Sequence, residues 1–182
     1  MNDLMLLATL LAGPQHGYAL KKQTGLLSGQ PAMHNNLVYP LLRRFVAKGW
    51  VAQRKSPGNR GQTRQMHSLT SLGRRALLDR LAAFGESDAR SPEQFHLRVG
   101  LFSVLAPATR AQILRTRKTL LGLRDQKFAL LQKEIDLGDY GGEVVRFLRQ
   151  NIHAELAWIA HLERISIRAK RKQSKIARSK LP

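Results

Sequence analysis

The chain has no cysteine. Disulfides and thiolate metal sites are therefore excluded, and a reducing compartment, the cytoplasm, is expected. No run of about 18 uncharged apolar residues occurs, so no membrane span is expected and a membrane is set aside as a partner. The apolar start, Leu4 to Ala12, follows an acid and no base, unlike a secretory signal. Acidic residues are scarce: 12 Asp and Glu stand against 31 Lys and Arg, for a formal charge of +19. The widest gap is local. No acid lies between Asp3 and Asp79, where eleven Lys or Arg fall. Such an interval cannot neutralise itself and presents a positive field to a polyanion. Nucleic acid is the leading partner, because neutralised phosphates release counterions on binding.

Catalytic signatures are missing too. The histidines stand at His16, His34, His67, His96, His153 and His161, with no HExxH pair and no ligand spacing. The Gly58 to Thr63 stretch has no GKS or GKT element, and Gly138 to Gly142 lacks the phosphate-loop lysine. The sparse carboxylates form no acid–base pair. No enzyme, cofactor or metal is expected.

What is present is an ordered set of short elements in 182 residues, enough for one ordinary domain or two small ones. Leu4, Leu6, Leu7, Leu10 and Leu11 predict a helix over 3–12, ended by Gly13-Pro14. A second helix is expected from Gln15 to Leu27, with Tyr18, Leu20 and Leu27 available for packing. A third starts near Asn35 or Asn36. Leu37, Val38, Leu41, Leu42 and Phe45 give it an apolar stripe, and Gly49 ends it. Trp50 to Arg54 and Arg64 to Leu69 read as strands around a Gly-rich loop at Ser56 to Thr63. Thr70 or Ser71 caps a fourth helix to about Phe84. This is the element order of a winged helix-turn-helix. In that motif the second of the two linked helices enters the major groove, led by its N-terminal residues. Asn pairs well with adenine and Arg with guanine. The expected DNA-binding set is Tyr18, Lys21 and Lys22 on the second helix, Asn35, Asn36, Tyr39, Arg43, Arg44 and Lys48 on the third, and Arg60, Gln62 and Arg64 in the wing.

The stretches His16-Gly17-Tyr18-Ala19-Leu20, Val38-Tyr39-Pro40-Leu41-Leu42-Arg43-Arg44-Phe45 and Lys48-Gly49-Trp50-Val51 come in that order. With Gly61 to Arg64, Leu69-Thr70 and Gly73-Arg74, they make residues 4–82 similar to the PadR family of transcriptional regulators. The resemblance implies a bacterial or archaeal regulator, usually a repressor, acting as a homodimer and often sensing a small-molecule effector. No residue identifies such an effector. The family commonly has threonine and leucine before the Tyr-Pro pair, where this chain has Leu37-Val38. Family wings often end in an aromatic pair, where this chain has Met66-His67. Both departures touch the reading surface and so bear on the operator sequence rather than the fold.

The second half reads as helical. Residues 85–92 form a polar linker. Phe95, Val99, Phe102 and Leu105 make a short amphipathic helix before Pro107. Leu114, Leu121, Phe128 and Ile135 recur every seven residues, with Leu131 between. After the Gly138 to Gly142 turn, Val145, Leu148, Ile152, Leu156 and Ile159 follow. Such stripes suit either a hairpin core or a seam between two copies. The family resemblance favours dimerisation through Leu114, Leu121, Phe128, Ile135, Ile152, Leu156 and Ile159. Trp158 reads as core or as an interface anchor. Arg168 to Pro182 carries seven basic residues and no acid, a flexible basic tail.

The fold class expected is therefore mainly α: an N-terminal winged helix-turn-helix of three helices and a two-stranded wing, plus a C-terminal helical dimerisation region. The expected domains are 1–86 for DNA binding, 92–167 for dimerisation and 168–182 for the tail. The expected function is a sequence-specific DNA-binding regulator, a repressor on an inverted-repeat operator. The alternatives are a basic protein binding RNA or DNA without sequence preference, and a winged-helix scaffold for a protein partner.

Overall fold

Eight helices and three strands account for the described residues of this computed structural model, 2–28, 34–57 and 63–178, with backbone alone for 25–28, 35 and 167–178. Two units form. One comprises Met1–Ala83 with Pro92–Leu105, the other Phe84–Ser91 with Ala106–Pro182.

In the first unit, α1 (Asn2–Thr9) runs into a 3-10 turn at Leu10–Ala12. Then come β1 (Gln15–His16), α2 (Gly17–Ser28), α3 (Asn35–Ala47), β2 (Val51–Pro57), β3 (Thr63–Leu69) and α4 (Ser71–Ala82). Later in the chain, α6 (Pro92–Gly100) joins this unit. The core gathers Leu6 and Leu7 of α1, Leu20 of α2, Val38 and Phe45 of α3, Leu77 and Leu81 of α4, and Phe95 of α6, all buried. The 38, 42, 45 spacing on α3 keeps these side chains on one face, as an amphipathic helix requires.

The wing is antiparallel and set by register: Val51 pairs with Leu69 and Pro57 with Thr63. It has a strand more than expected. Gln15 and His16 do not open α2. They pair with His67 and Met66 on the outer edge of β3, so the sheet order is β1-β3-β2. The physical reason lies in His16, whose Nδ1 accepts from the Ala19 amide at 3.2 Å. That caps α2 from outside and leaves the preceding backbone extended.

Two junctions hold α3, the wing and α4 together. The end of α3 is a Schellman motif: the Trp50 amide donates to the Phe45 carbonyl, the Gly49 amide to Val46, and Gly49 takes φ 66°. The accompanying apolar contact is Phe45 on Trp50, ring centroids 5.6 Å apart. The Thr70 Oγ1 accepts from the Gly73 amide at 3.0 Å, capping α4, and donates to the Gly49 carbonyl at 2.6 Å. A Cβ on Gly73 would sit 2.0 Å from the Trp50 carbonyl oxygen. The Leu-Thr and Gly-Arg pairs of the sequence thus mark a close approach of α4 to the α3–β2 turn.

In the second unit, α5 (Glu86–Arg90) packs on α7 (Pro107–Glu134), and α7 pairs with α8 (Gly138–Arg178). Residues 85–92 are therefore not a linker. They fold because Asp88 accepts from the Gly85 amide and Ala89 is fully buried. Buried Arg117 of α7 ties the unit, donating twice at 2.7 Å to Glu155 of α8 and also to the Ala89 carbonyl. The backbone of α8 continues through the basic stretch to Arg178. Residues 143–178 contain neither Gly nor Pro and are rich in Lys and Arg, which favour helix.

Candidate nucleic-acid interface

The exposed face of α3 carries Asn36, Tyr39, Pro40, Arg43 and Ala47, one side of a helix at spacings of three and four. Its opposite face is the buried one, so packing alone fixes which residues look outward. From α2, Tyr18 and Lys22 are exposed and Lys21 is half-buried. From the wing, Arg64 is exposed. Arg60 and Gln62 lie outside the described residues, as does the Asn35 side chain. So does the packing expected of Leu27. Tyr18, read partly as a packing residue, is 69% exposed. It lies over the N-terminus of α2, where its ring stacks on His16 at 6.4 Å.

Gly17 and Tyr39 explain why the His-Gly-Tyr and Tyr-Pro elements occur together. A Cβ on Gly17 would lie 2.8 Å from the Tyr39 ring. A larger residue at 17 would push that ring away from the start of α2.

Two expected contacts are engaged within the chain. Arg44 donates to Asp3 at 2.6 Å, and Arg80 reaches the same carboxylate at 3.4 Å. Lys48 lies over the Trp50 ring at 4.7 Å, with Arg80 at 5.0 Å. Asp3 thus cancels charge at one side of α3. Among the described residues, Lys22, Arg43 and Arg64 have no carboxylate partner, and neither do Arg54 and Lys55, which are exposed on β2. Sequence reading passed over the last two because it ended the strand at Arg54 and gave the rest to a loop. The signal was there: they are the basic pair opposite Gln65 and Met66 in the ladder.

His67 is 5% exposed on β3. Burial holds its imidazole below the ordinary histidine range, an effect only partly opposed by the Gln15 backbone. No group of residues suited to a metal occurs among the described residues.

In the second unit, the expected dimer residues divide. Leu114, Leu121, Ile152 and Ile159 are buried within the single chain, where α7 and α8 cover each other. In the single chain they are hairpin core. Phe128 and Leu156 are half-buried, and Ile135 is exposed at the end of α7. A different stripe on α8 faces out: Tyr140, Val144, Phe147, Trp158 and Ile165, exposed and stepping by heptads. Asn151, Ala154 and His161 occupy the intervening positions of that stripe, and all three are exposed.

A family model described as the transcriptional regulator PadR-like family matches residues 6–79. Among solved structures, the chain is similar to a protein of Thermoplasma acidophilum assigned as a transcriptional regulator. That match has 31% identity and a TM-score of 0.39, over 43% of this chain and 74% of that one. A PadR family regulator of Eggerthella lenta matches at 32% identity and a TM-score of 0.36, over 43% of this chain and 63% of that one. Bacillus subtilis PadR in complex with operator DNA matches over 90% of this chain and 98% of that one, at 17% identity and a TM-score of 0.43. No curated protein matches the chain. No described helix is long and apolar enough to cross a membrane.

Proposed function

Because the chain belongs to the PadR-like family of transcriptional regulators, and is a regulator rather than an enzyme, we propose that it acts as a repressor that binds an inverted-repeat operator as a homodimer. The observation that carries the DNA-binding reading is the exposed face of α3. Asn36, Tyr39 and Arg43 stand there, and among the described residues no carboxylate neutralises Arg43. An Asn near the N-terminus of such a helix, with an Arg two turns further on, suits base edges in the major groove. Arg54, Lys55 and Arg64 on the wing suit phosphates, which position a protein without reading sequence.

The homodimer reading is supported by the outward stripe of α8. Tyr140, Val144, Phe147 and Ile165 follow the heptad that two helices share in a coiled coil. Two-fold symmetry in the protein would be mirrored by half-sites about one helical turn apart. Residues 1–86 would then serve DNA binding and 92–167 dimerisation, with residues 92–105 grouping in the first unit.

The test is footprinting across the region upstream of the protein's own gene, with and without excess random DNA. Protection of two symmetric half-sites supports the reading. Uniform, sequence-blind protection would favour the non-specific basic protein, and no protection at low salt would favour the protein-partner scaffold.

A further inference from the structure

The first unit holds a cleft of about 880 Å³ between the start of α2, the outer face of α3 and the wing strands. We infer that this cleft is a binding site for a free nucleoside monophosphate, whose occupation competes with DNA. The competition rests on the DNA-binding reading above; the site itself does not.

The volume falls in the range of small-molecule sites and exceeds what one phosphate needs. Its floor is apolar, made by Leu42, Val46 and Ala47 of α3. One side offers ring faces, Tyr39 and His16. The Tyr39 ring lies close to Gly17, where a Cβ would come within 2.8 Å of it. Aromatic faces stack on any base.

The other side is lined by wing amides. Gln53 donates to Gln65, and its Nε2 lies 3.4 Å from His67 Nε2. The remaining amide donor and acceptor can pair with the edge of a base, as Gln and Asn do elsewhere. His67, also in the lining, has its Nε2 on the side of Gln53. At the rim stand Arg43 and Arg64, exposed and, among the described residues, without a carboxylate. Their planar forks match a phosphate.

Stacking faces, amide edges and guanidinium groups answer the three parts of a nucleotide. Phosphate alone would leave the apolar floor and the amides unused. An uncharged aromatic would leave the arginines unused. A ligand here would hold Tyr39, Arg43 and Arg64, which the DNA-binding reading assigns to the operator. DNA and nucleotide would then exclude each other.

The test begins without DNA. The full chain is titrated calorimetrically with AMP, GMP, CMP and UMP, and separately with inorganic phosphate and with adenosine. At least one nucleotide should bind with one site per chain, at least tenfold tighter than phosphate or nucleoside. Ala47→Trp, which fills the floor at an exposed helical position, should abolish binding. Gln53→Ala should weaken it several-fold. Circular dichroism should report both variants folded. No heat at millimolar nucleotide, phosphate binding as tightly as nucleotide, or a folded Ala47→Trp protein that binds like the wild type would overturn the site.

The second arm measures operator affinity by anisotropy with nucleotide at ten times its own Kd. Apparent DNA affinity should fall about elevenfold. An unchanged DNA affinity would overturn the competition. A protein that binds nucleotide but never binds DNA would sink the DNA-binding reading and leave the cleft standing.

Discussion

Arg43 and Arg44 are neighbours in sequence and different in kind. Arg43 stands on the outward face of α3, while Arg44 is held by Asp3. Replacing Arg43 with Ala should weaken specific DNA binding by roughly 1–3 kcal/mol and relax discrimination at one base position, if it reads a base. Arg44→Ala should cost less than that. Anisotropy on the operator and on single-base variants separates them, and an equal loss on every sequence would reduce Arg43 to a phosphate contact. This distinction could not be read from the sequence, because it depends on an ion pair spanning 41 positions. The outward residues of α3 were readable, since apolar spacing dictates which side of the helix is buried. His67 adds a pH signature. Its folded pKa lies below the ordinary histidine value of 6.5, so the unfolded chain takes up a proton that the folded chain refuses. Stability should therefore fall as pH drops through about 6.5 and level off below the folded pKa. Thermal melts between pH 5 and 8 check this, and His67→Gln should flatten the slope. A wild-type profile already flat over that range would contradict the assignment.

Each long helix of the second unit carries an apolar repeat, and periodicity alone cannot say what covers it. The structure divides the stripes of α8: Val145, Ile152 and Ile159 face α7, while Val144, Phe147 and Ile165 face outward. One residue's shift in register, about 100° around a helix, separates hairpin core from exposed surface. That is why the sequence pointed to a helical second half but assigned core residues to the seam. The wing and α3 were readable for the opposite reason: their boundaries are marked chemically, by Gly49, Thr70 and Gly73. The two-residue strand β1 was not, since a strand that short has no period. Two substitutions follow from the division. Val144→Glu with Phe147→Glu should split a dimer while helix content stays near that of the wild type. Leu121→Glu should instead unfold the second unit, because a charge would enter a position only 2% exposed. Sedimentation and circular dichroism on both proteins check the pair. A Val144→Glu, Phe147→Glu protein that still sediments as a dimer would move the seam elsewhere. Arg117→Ala should cost about 3–5 kcal/mol, since it strands Glu155 in a mostly buried site.

For the whole molecule the dominant fact is the charge of +19. Specific binding should fall steeply with salt, because each neutralised phosphate releases condensed counterions. Removing residues 169–182 should lower affinity for operator and random DNA by similar factors and flatten the salt slope, leaving their ratio nearly unchanged. Measuring both affinities at several salt concentrations tests this. Loss of operator binding alone would mean that the tail reads sequence or is needed for assembly.

The backbone of α8 keeps its helical course to Arg178, and this turns the tail into a charged rod. Arg168, Lys170, Arg171, Lys172, Lys175 and Arg178 lie along roughly 16 Å of helix axis at 1.5 Å per residue. That is about one positive charge every 3 Å, of the same order as the negative charge density of a DNA duplex. Arg168 with Lys172, and Arg171 with Lys175, are like charges one turn apart, and each such pair works against the helix. The end of α8 should therefore behave as a polyelectrolyte whose folding is set by its surroundings. Its helicity should rise when salt or a polyanion screens the rod. A peptide of residues 160–182 followed by circular dichroism, in rising salt and then with added DNA, would read that transition directly.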